Sequence, residues 1–139
     1  MDQYNQLIGN SNMGNIQTII DREIDLTTQK CIGNVKREDV SGKIEEYYRD
    51  LPTKNILWDL READLSEISA NDVREIAEQI GKFKPEGKSA ILAEAGLSLG
   101  LSNMFSAYSK IERPEFPIPV FSNHGEALSN LLGWATDEK

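Results

Sequence analysis

The sequence has little of what disulfides, metal sites and membrane spans require. Its 139 residues include one cysteine and one histidine, Cys31 and His124. A single cysteine excludes an intramolecular disulfide, and the two residues together are too few for a zinc-binding set. No stretch approaches the ~18 apolar residues that a membrane-spanning helix needs. We therefore predict no metal, no cofactor and no integral membrane segment.

Positive charge is also scarce. The chain has 15 Lys and Arg residues against 23 Asp and Glu residues, which gives a net charge of -8. Such a chain is repelled at long range by nucleic-acid phosphates and by anionic bilayers, so we predict no nucleic-acid partner. The amino-terminal segment lacks the basic start and apolar run of a secretory signal, and a lone cysteine suits a reducing compartment. The sequence therefore predicts a cytoplasmic location.

The length and the apolar content predict one folded domain with polar ends. Apolar residues make up 39% of the chain, enough for one packed core. Residues 1–14 are rich in Asn, Gln, Ser and Gly, and we predict a flexible tail there. Residues 15–134 form the predicted domain, and residues 135–139 form a short polar tail.

Alternating strand and helix patterns follow one another along the domain. The segments IQTIID and LTTQKCIG predict two β-strands, and NILWDL, SAILAE and PIPVF predict three more. Apolar residues at helical spacing lie between and after them, first over Arg37–Leu51, which Pro52 ends. Pro117 and Pro119 cannot donate ladder hydrogen bonds, so the last strand is expected at a sheet edge. The order β-β-α-β-α-β-α-β-α predicts a mixed, mostly parallel sheet of about five strands with helices packed on it.

The strongest local signal is the start of the second helix. Ser69 precedes Asp72 by three residues, as in a reciprocal helix cap. Ile68 and Val73 are spaced to pack against each other across that start. Asn123 and Glu126 form a variant of the same pattern before the last helix, and Gly133 marks its end.

No residue pattern predicts a catalytic centre. His124 lies at a predicted helix start, where a turn or surface role is expected, and Cys31 lies in a predicted strand, where a free thiol packs as a small hydrophobe. Acidic side chains cluster between the third strand and the second helix, namely Asp59, Glu62, Asp64, Glu67 and Asp72. Loop and cap roles explain them, and a hydrolase that uses clustered carboxylates is the third-ranked hypothesis.

Three segments in succession resemble the SpoIIAA-like family, a branch of the STAS and CRAL-TRIO-like α/β domains of bacteria. They are NILWDLREADLSEIS, GKSAILAEAGLSLGLSNMFSAY and FPIPVFSNHGEALSNLL, and the resemblance covers roughly residues 16–133. It implies a domain without enzyme activity that acts by binding, as a bacterial regulatory protein. Asn103 stands where relatives often have an arginine before the methionine of the third helix.

The resemblance also implies a partner surface and a modification site. In anti-sigma-factor antagonists a serine at the start of the second helix is phosphorylated, and Ser69 holds the matching position. Their Asp-Ser-Ser-Gly is replaced here by Glu67-Ile68-Ser69-Ala70, so simple helix capping is the alternative role of Ser69. The leading hypothesis is an unidentified protein partner, which binds at an exposed edge formed by Arg61, Glu62, Asp64, Ser66 and Ser69.

The alternative hypothesis is a carrier or sensor of a small apolar or lipid-like ligand. Apolar side chains at helical spacing on the third helix would line its pocket together with a tryptophan of the central strand. The expected residues are Trp58, Leu97, Leu101, Met104, Phe105 and Tyr108. A homodimer is also compatible with the sequence, with Trp134 as a contact residue or as a cover of the core.

Overall fold

The computed structural model describes residues 14–133, which form a five-stranded sheet and four helices. Residues 1–13 of the predicted tail at 1–14, Trp134 and the predicted tail at 135–139 lie outside the described residues. The strands are β1 (Asn15–Asp21), β2 (Leu26–Asn34), β3 (Asn55–Asp64), β4 (Ser89–Leu92) and β5 (Val120–Phe121). The helices are α1 (Arg37–Asp50), α2 (Ala70–Gly81), α3 (Leu97–Glu112) and α4 (His124–Leu132).

The strands lie in the sheet in the same order as in the chain. β1 pairs antiparallel with β2, and β2, β3, β4 and β5 are parallel neighbours. This arrangement confirms the predicted mixed, mostly parallel sheet and the alternation of strands with helices. The carboxyl ends of β2 to β5 therefore share one edge of the sheet, and their amino ends share the opposite edge.

The two faces of the sheet carry separate apolar clusters because successive strand residues point to opposite sides. On β3, Ile56 and Trp58 pack with buried residues of α1, α2 and α3. Leu57 packs on the other face with Ala127 and Leu131 of α4. Three helices thus cover one face of the sheet and one helix covers the other. No helix within residues 14–133 is long and apolar enough to cross a bilayer.

Two predicted strands differ from the observed ones in length. The β3 strand continues four residues beyond the predicted end at Leu60, because its last part pairs with Gly33 and Asn34 of β2 although it is no longer apolar. The β5 strand is shorter than PIPVF, since Pro117 and Pro119 cannot donate ladder hydrogen bonds. It pairs with β4 on one side, at an edge of the described sheet, as predicted.

Candidate functional site

The residues predicted to contact a partner form one exposed strip, which we call the β3–α2 surface. It consists of Arg61, Glu62, Asp64, Ser66 and Ser69, all of which are exposed. The first three belong to the carboxyl-terminal part of β3, and Ser69 is the residue that precedes α2. The strip therefore joins the carboxyl edge of the central strand to a helix start.

Arg61 is held in place by Asp59. The guanidinium Nε and Nη2 atoms of Arg61 donate to the two Asp59 carboxylate oxygens at 3.0 and 2.9 Å. Burial of Asp59, which is 6% exposed, opposes ionisation of its carboxyl group. The hydrogen bonds and positive charge of Arg61, helped by Lys30, outweigh that effect and lower the pKa of Asp59. Arg61 is thus a cation with a fixed position.

A break in the strand register sets the direction of the neighbouring side chains. Lys30 of β2 is opposite Asp59, whereas Ile32 is opposite Glu62, so β3 has an extra residue between these pairs. Irregularities of this kind re-aim side chains at the ends of sheets. Lys30 Nζ lies 3.4 Å from the Glu62 carboxylate. Asp59 and Glu62, which flank the extra residue, each contact a basic side chain.

The turn between β3 and α2 is anchored to the core. Leu65 and Ile68 are buried in the same apolar cluster as Trp58. The Asp64 carboxylate accepts a hydrogen bond from Ser66 N at 3.0 Å, and bonding by Ser66 lowers the pKa of Asp64. The backbone of Asp64 also accepts a bond from Val35 N at 3.2 Å. These contacts hold the exposed residues of the turn in one arrangement.

Ser69 caps α2 in both directions. Its Oγ accepts a hydrogen bond from Asp72 N at 3.0 Å, and its own N–H donates to Asp72 Oδ2 at 3.0 Å. The predicted helix cap is present in full. Ile68 and Val73, the residues flanking it, are both buried in one cluster. Arg37 of α1 lies 3.5 Å from the Asp72 carboxylate and adds a positive charge beside the cap.

The acidic residues near this surface do not favour hydrolysis. The lowered pKa values of Asp59 and Asp64 keep both groups ionised at neutral pH, so neither can serve as the general acid. Asp72 is engaged in the helix cap. Within residues 14–133, no group of three or more His, Cys, Asp and Glu side chains is arranged to hold a metal ion.

The other two residues considered for chemistry have structural or surface positions. Cys31 is fully buried in β2, and burial, reinforced by the charges of Asp59 and Asp39, raises its pKa to about 12. Its thiol is therefore protonated at neutral pH and is a poor nucleophile. His124 is the exposed first residue of α4.

An apolar cavity lies between the sheet and α1, α2 and α3. Trp58, Leu101 and Phe105 line it, whereas Met104 and Tyr108 pack against the same core without lining it. Leu97 is 54% exposed at the start of α3. The cavity has a volume of about 80 Å³. Pockets for drug-sized ligands typically enclose about 300 Å³ or more, so this one does not favour a lipid carrier.

The anchoring of Arg61 by Asp59 is a feature that the sequence analysis missed. The signal was available, because residues two apart on a strand point to the same face. Asp59 ends the buried part of β3 and Arg61 lies in the exposed part that follows, so the two side chains can pair directly.

Three solved structures resemble this chain. An anti-sigma factor antagonist from Mycobacterium paratuberculosis is 11% identical, with a TM-score of 0.64, and the match covers 89% of this chain and 98% of that one. SpoIIAA, an anti-sigma factor antagonist in its unphosphorylated form, is 12% identical with a TM-score of 0.56, over 88% of this chain and 100% of that one. An uncharacterised DUF3478-family protein with a SpoIIAA-like fold, from Shewanella loihica PV-4, is 19% identical with a TM-score of 0.54, over 90% and 98%.

At the level of sequence, no protein-family model and no curated protein matches the chain. The structural matches nevertheless span nearly the whole of each neighbour, and they share the mixed sheet with helices described above. The fold expected from the sequence resemblance is thus confirmed. The chain has a SpoIIAA-like fold.

Proposed function

We propose that this chain is a regulatory domain without enzyme activity, which binds a protein partner through the β3–α2 surface. The observation that carries the proposal is a fixed, exposed and charged strip at the end of the central strand. Two of the solved structures that resemble the chain are anti-sigma factor antagonists, which supports a regulatory role. The cytoplasmic location predicted from the sequence is part of this proposal.

The rigidity of the strip supports a binding role. Arg61 is fixed by Asp59, and the turn that carries Ser66 is fixed by buried Leu65 and Ile68. A surface that is already ordered loses less conformational entropy when a partner binds. Such a surface needs little rearrangement before contact.

The charge of the strip indicates the kind of partner. Asp64 is an exposed carboxylate, and Glu67 and Asp72 lie beside it in the turn and the helix start. Arg61 already has a counter-ion in Asp59. A partner with a basic patch would therefore be favoured, and complementary charge would mainly speed encounter and set specificity.

Charge reversal tests this surface. We would immobilise the wild-type chain and an Asp64→Lys variant and compare the proteins that each retains from an extract of the natural host. Glu86→Lys is the matched control, because Glu86 is exposed in the loop after α2 and its reversal changes net charge equally. We expect a salt-sensitive partner that the wild type and Glu86→Lys retain and Asp64→Lys loses. Equal retention by all three would exclude this surface.

Phosphorylation of Ser69 is a second part of the proposal. Its hydroxyl is exposed next to the partner strip, and a phosphate would add roughly 1.5 to 2 negative charges there. The added charge would repel the Asp72 carboxylate, which accepts a hydrogen bond from Ser69 N. Repulsion from Asp72 and attraction to Arg37 and to the helix start would together change the charge pattern of the surface. Mass spectrometry of protein purified from its host should find a phosphate on Ser69, and an unmodified residue in every growth phase would contradict this part.

Carriage of a small apolar ligand is less well supported. The cavity beneath α2 and α3 would have to widen about fourfold from its 80 Å³ to reach the range of common ligand pockets. Native mass spectrometry separates the two hypotheses. A retained mass of a few hundred daltons would favour the carrier, and a doubled mass would indicate a homodimer.

A further inference from the structure

A second concave site lies at the opposite edge of the sheet from the β3–α2 surface. The loop after α2 and the segment between α3 and β5 form its walls, at the amino ends of β4 and β5. Its volume is about 320 Å³, about four times that of the apolar cavity. We call it the Arg113 groove, lined by Lys88, Ser89, Arg113, Glu115, Phe116 and Pro117 among others. Its size is within the range of small-molecule sites.

Arg113 is a buried cation in this groove. The residue is 8% exposed, and its Nη1 atom donates to the backbone oxygen of Phe83 at 2.7 Å. A guanidinium group has five N–H donors. Among residues 14–133, no carboxylate lies within ion-pair distance of Arg113. In the same range, the Phe83 backbone oxygen is the one acceptor to which the Arg113 side chain donates a hydrogen bond. A buried charge without a counter-ion is costly, so the groove is electrostatically suited to an anion.

Phe116 and Lys88 define the surroundings of that guanidinium. The Arg113 Cζ atom lies 5.9 Å from the centre of the Phe116 ring. Lys88 Nζ donates to the backbone oxygen of Asn130 at 3.2 Å, in the last turn of α4. The helix dipole favours a cation there, which places a second positive group on the groove wall. Pro117 and the Phe116 ring add rigid apolar surface.

The balance of charge favours one kind of anion. Two cations, Lys88 and Arg113, share the groove with one carboxylate, Glu115. The net charge of +1 is neutralised by a single carboxylate, whereas a dianionic phosphate would leave one negative charge uncompensated and would lose more hydration on entering the groove. The planar guanidinium can donate two parallel hydrogen bonds to a carboxylate. An apolar body attached to that carboxylate would fit against the ring and the prolines.

We propose that the Arg113 groove binds a small organic carboxylate. The carboxylate contacts the Arg113 guanidinium, and its apolar body packs against Phe116 and Pro117. This site shares no residue with the β3–α2 surface, so the result for one proposal does not affect the other.

Benzoate is the probe that tests the site, in a titration of the full chain followed by amide NMR. We expect saturable shifts at Ser89 and Phe116, with a dissociation constant in the millimolar range. Benzamide has a similar shape without the charge, and we expect no saturable shift with it. Phenyl phosphate is the second comparison, and we expect it to bind more weakly than benzoate because its second negative charge has no counter-ion in the groove.

Variants connect the shifts to the groove. Since Arg113→Gln alters a buried residue, the decisive changes are at exposed positions. We expect Lys88→Gln to weaken benzoate binding about tenfold and Glu115→Gln to strengthen it, whereas Lys110→Gln on the exposed side of α3 has no effect. The proposal is overturned by unsaturable benzoate shifts, by equal binding of benzamide, by tighter binding of phenyl phosphate, or by equal affinities across these variants.

Discussion

Removing the hydroxyl of Ser69 should destabilise the domain by about 1 kcal/mol. The Ser69→Ala variant loses the acceptor for Asp72 N, which lies 3.0 Å away, while the reciprocal bond from Ser69 N to Asp72 is kept. Loss of a serine cap typically costs about 0.5 to 2 kcal/mol. For a domain of this size, 1 kcal/mol corresponds to a fall in Tm of about 3 to 5 °C. Urea unfolding, followed by fluorescence of buried Trp58, measures the change.

Two further variants make this measurement specific. Ser122→Ala removes an exposed hydroxyl without a hydrogen bond among the described residues, so it should leave stability unchanged. Asn123→Ala removes the cap of α4, where Asn123 Oδ1 accepts from Glu126 N at 3.0 Å. We expect it to cost a similar amount to Ser69→Ala. A Ser69→Ala variant as stable as Ser122→Ala would refute the assignment of Ser69 as a cap that stabilises α2.

Three further variants concern polar groups that are buried or partly buried. Asp59→Asn should lower stability at pH 7 and reduce the acid sensitivity of unfolding. Because folding lowers the pKa of Asp59, the ionised carboxylate stabilises the domain above the unfolded pKa of about 3.9, and this stabilisation is lost as pH falls from that value through the folded pKa. If the free energy of unfolding fell equally with pH in the wild type and in the variant, this prediction would be wrong. Ser102→Ala should be neutral or stabilising, because the Ser102 hydroxyl is buried without a hydrogen-bond partner beside the apolar cavity. Ser106→Ala, one helical turn further on, should instead destabilise the domain by about 1 kcal/mol, because Ser106 Oγ donates to Ile118 O at 2.8 Å. Equal unfolding midpoints for these two serine variants would show that the hydrogen bond of Ser106 does not determine the loss of stability.

Local sequence patterns were sufficient to predict the elements of this fold. The helix start at Ser69 depends on residues within four positions of one another, and its cap is present as predicted. The apolar runs at the start of β3 and in β4 likewise predict buried strands, since each run is bounded by turn residues. The strand β3 extends beyond the end predicted from the apolar run, because its last residues are mostly polar. Their strand conformation comes from pairing with Gly33 and Asn34, which lie far away in the sequence.

The candidate sites also combine features that local sequence predicts with features that depend on contacts between distant residues. The exposure of Arg61, Glu62, Asp64, Ser66 and Ser69 could be predicted because these residues are close together in the chain and follow a buried strand. The salt bridge from Lys30 to Glu62 joins two strands whose register contains an irregularity, and no local pattern predicts its position. The size of the apolar cavity also depends on how the helices pack, so a helical stripe alone cannot give a volume.

By itself, the sequence determined the alternation of strands and helices, the acidic charge and the capped start of α2. These properties depend on composition and on spacing within a few residues. Only the tertiary structure decided that α1, α2 and α3 share one face of the sheet and that Arg113 is buried. In the chain, Arg113 follows a helix as an ordinary charged residue, and its nearest acceptor, Phe83 O, is thirty positions away. Burial and charge balance at that site arise from segments brought together by sheet pairing, which local spacing does not encode.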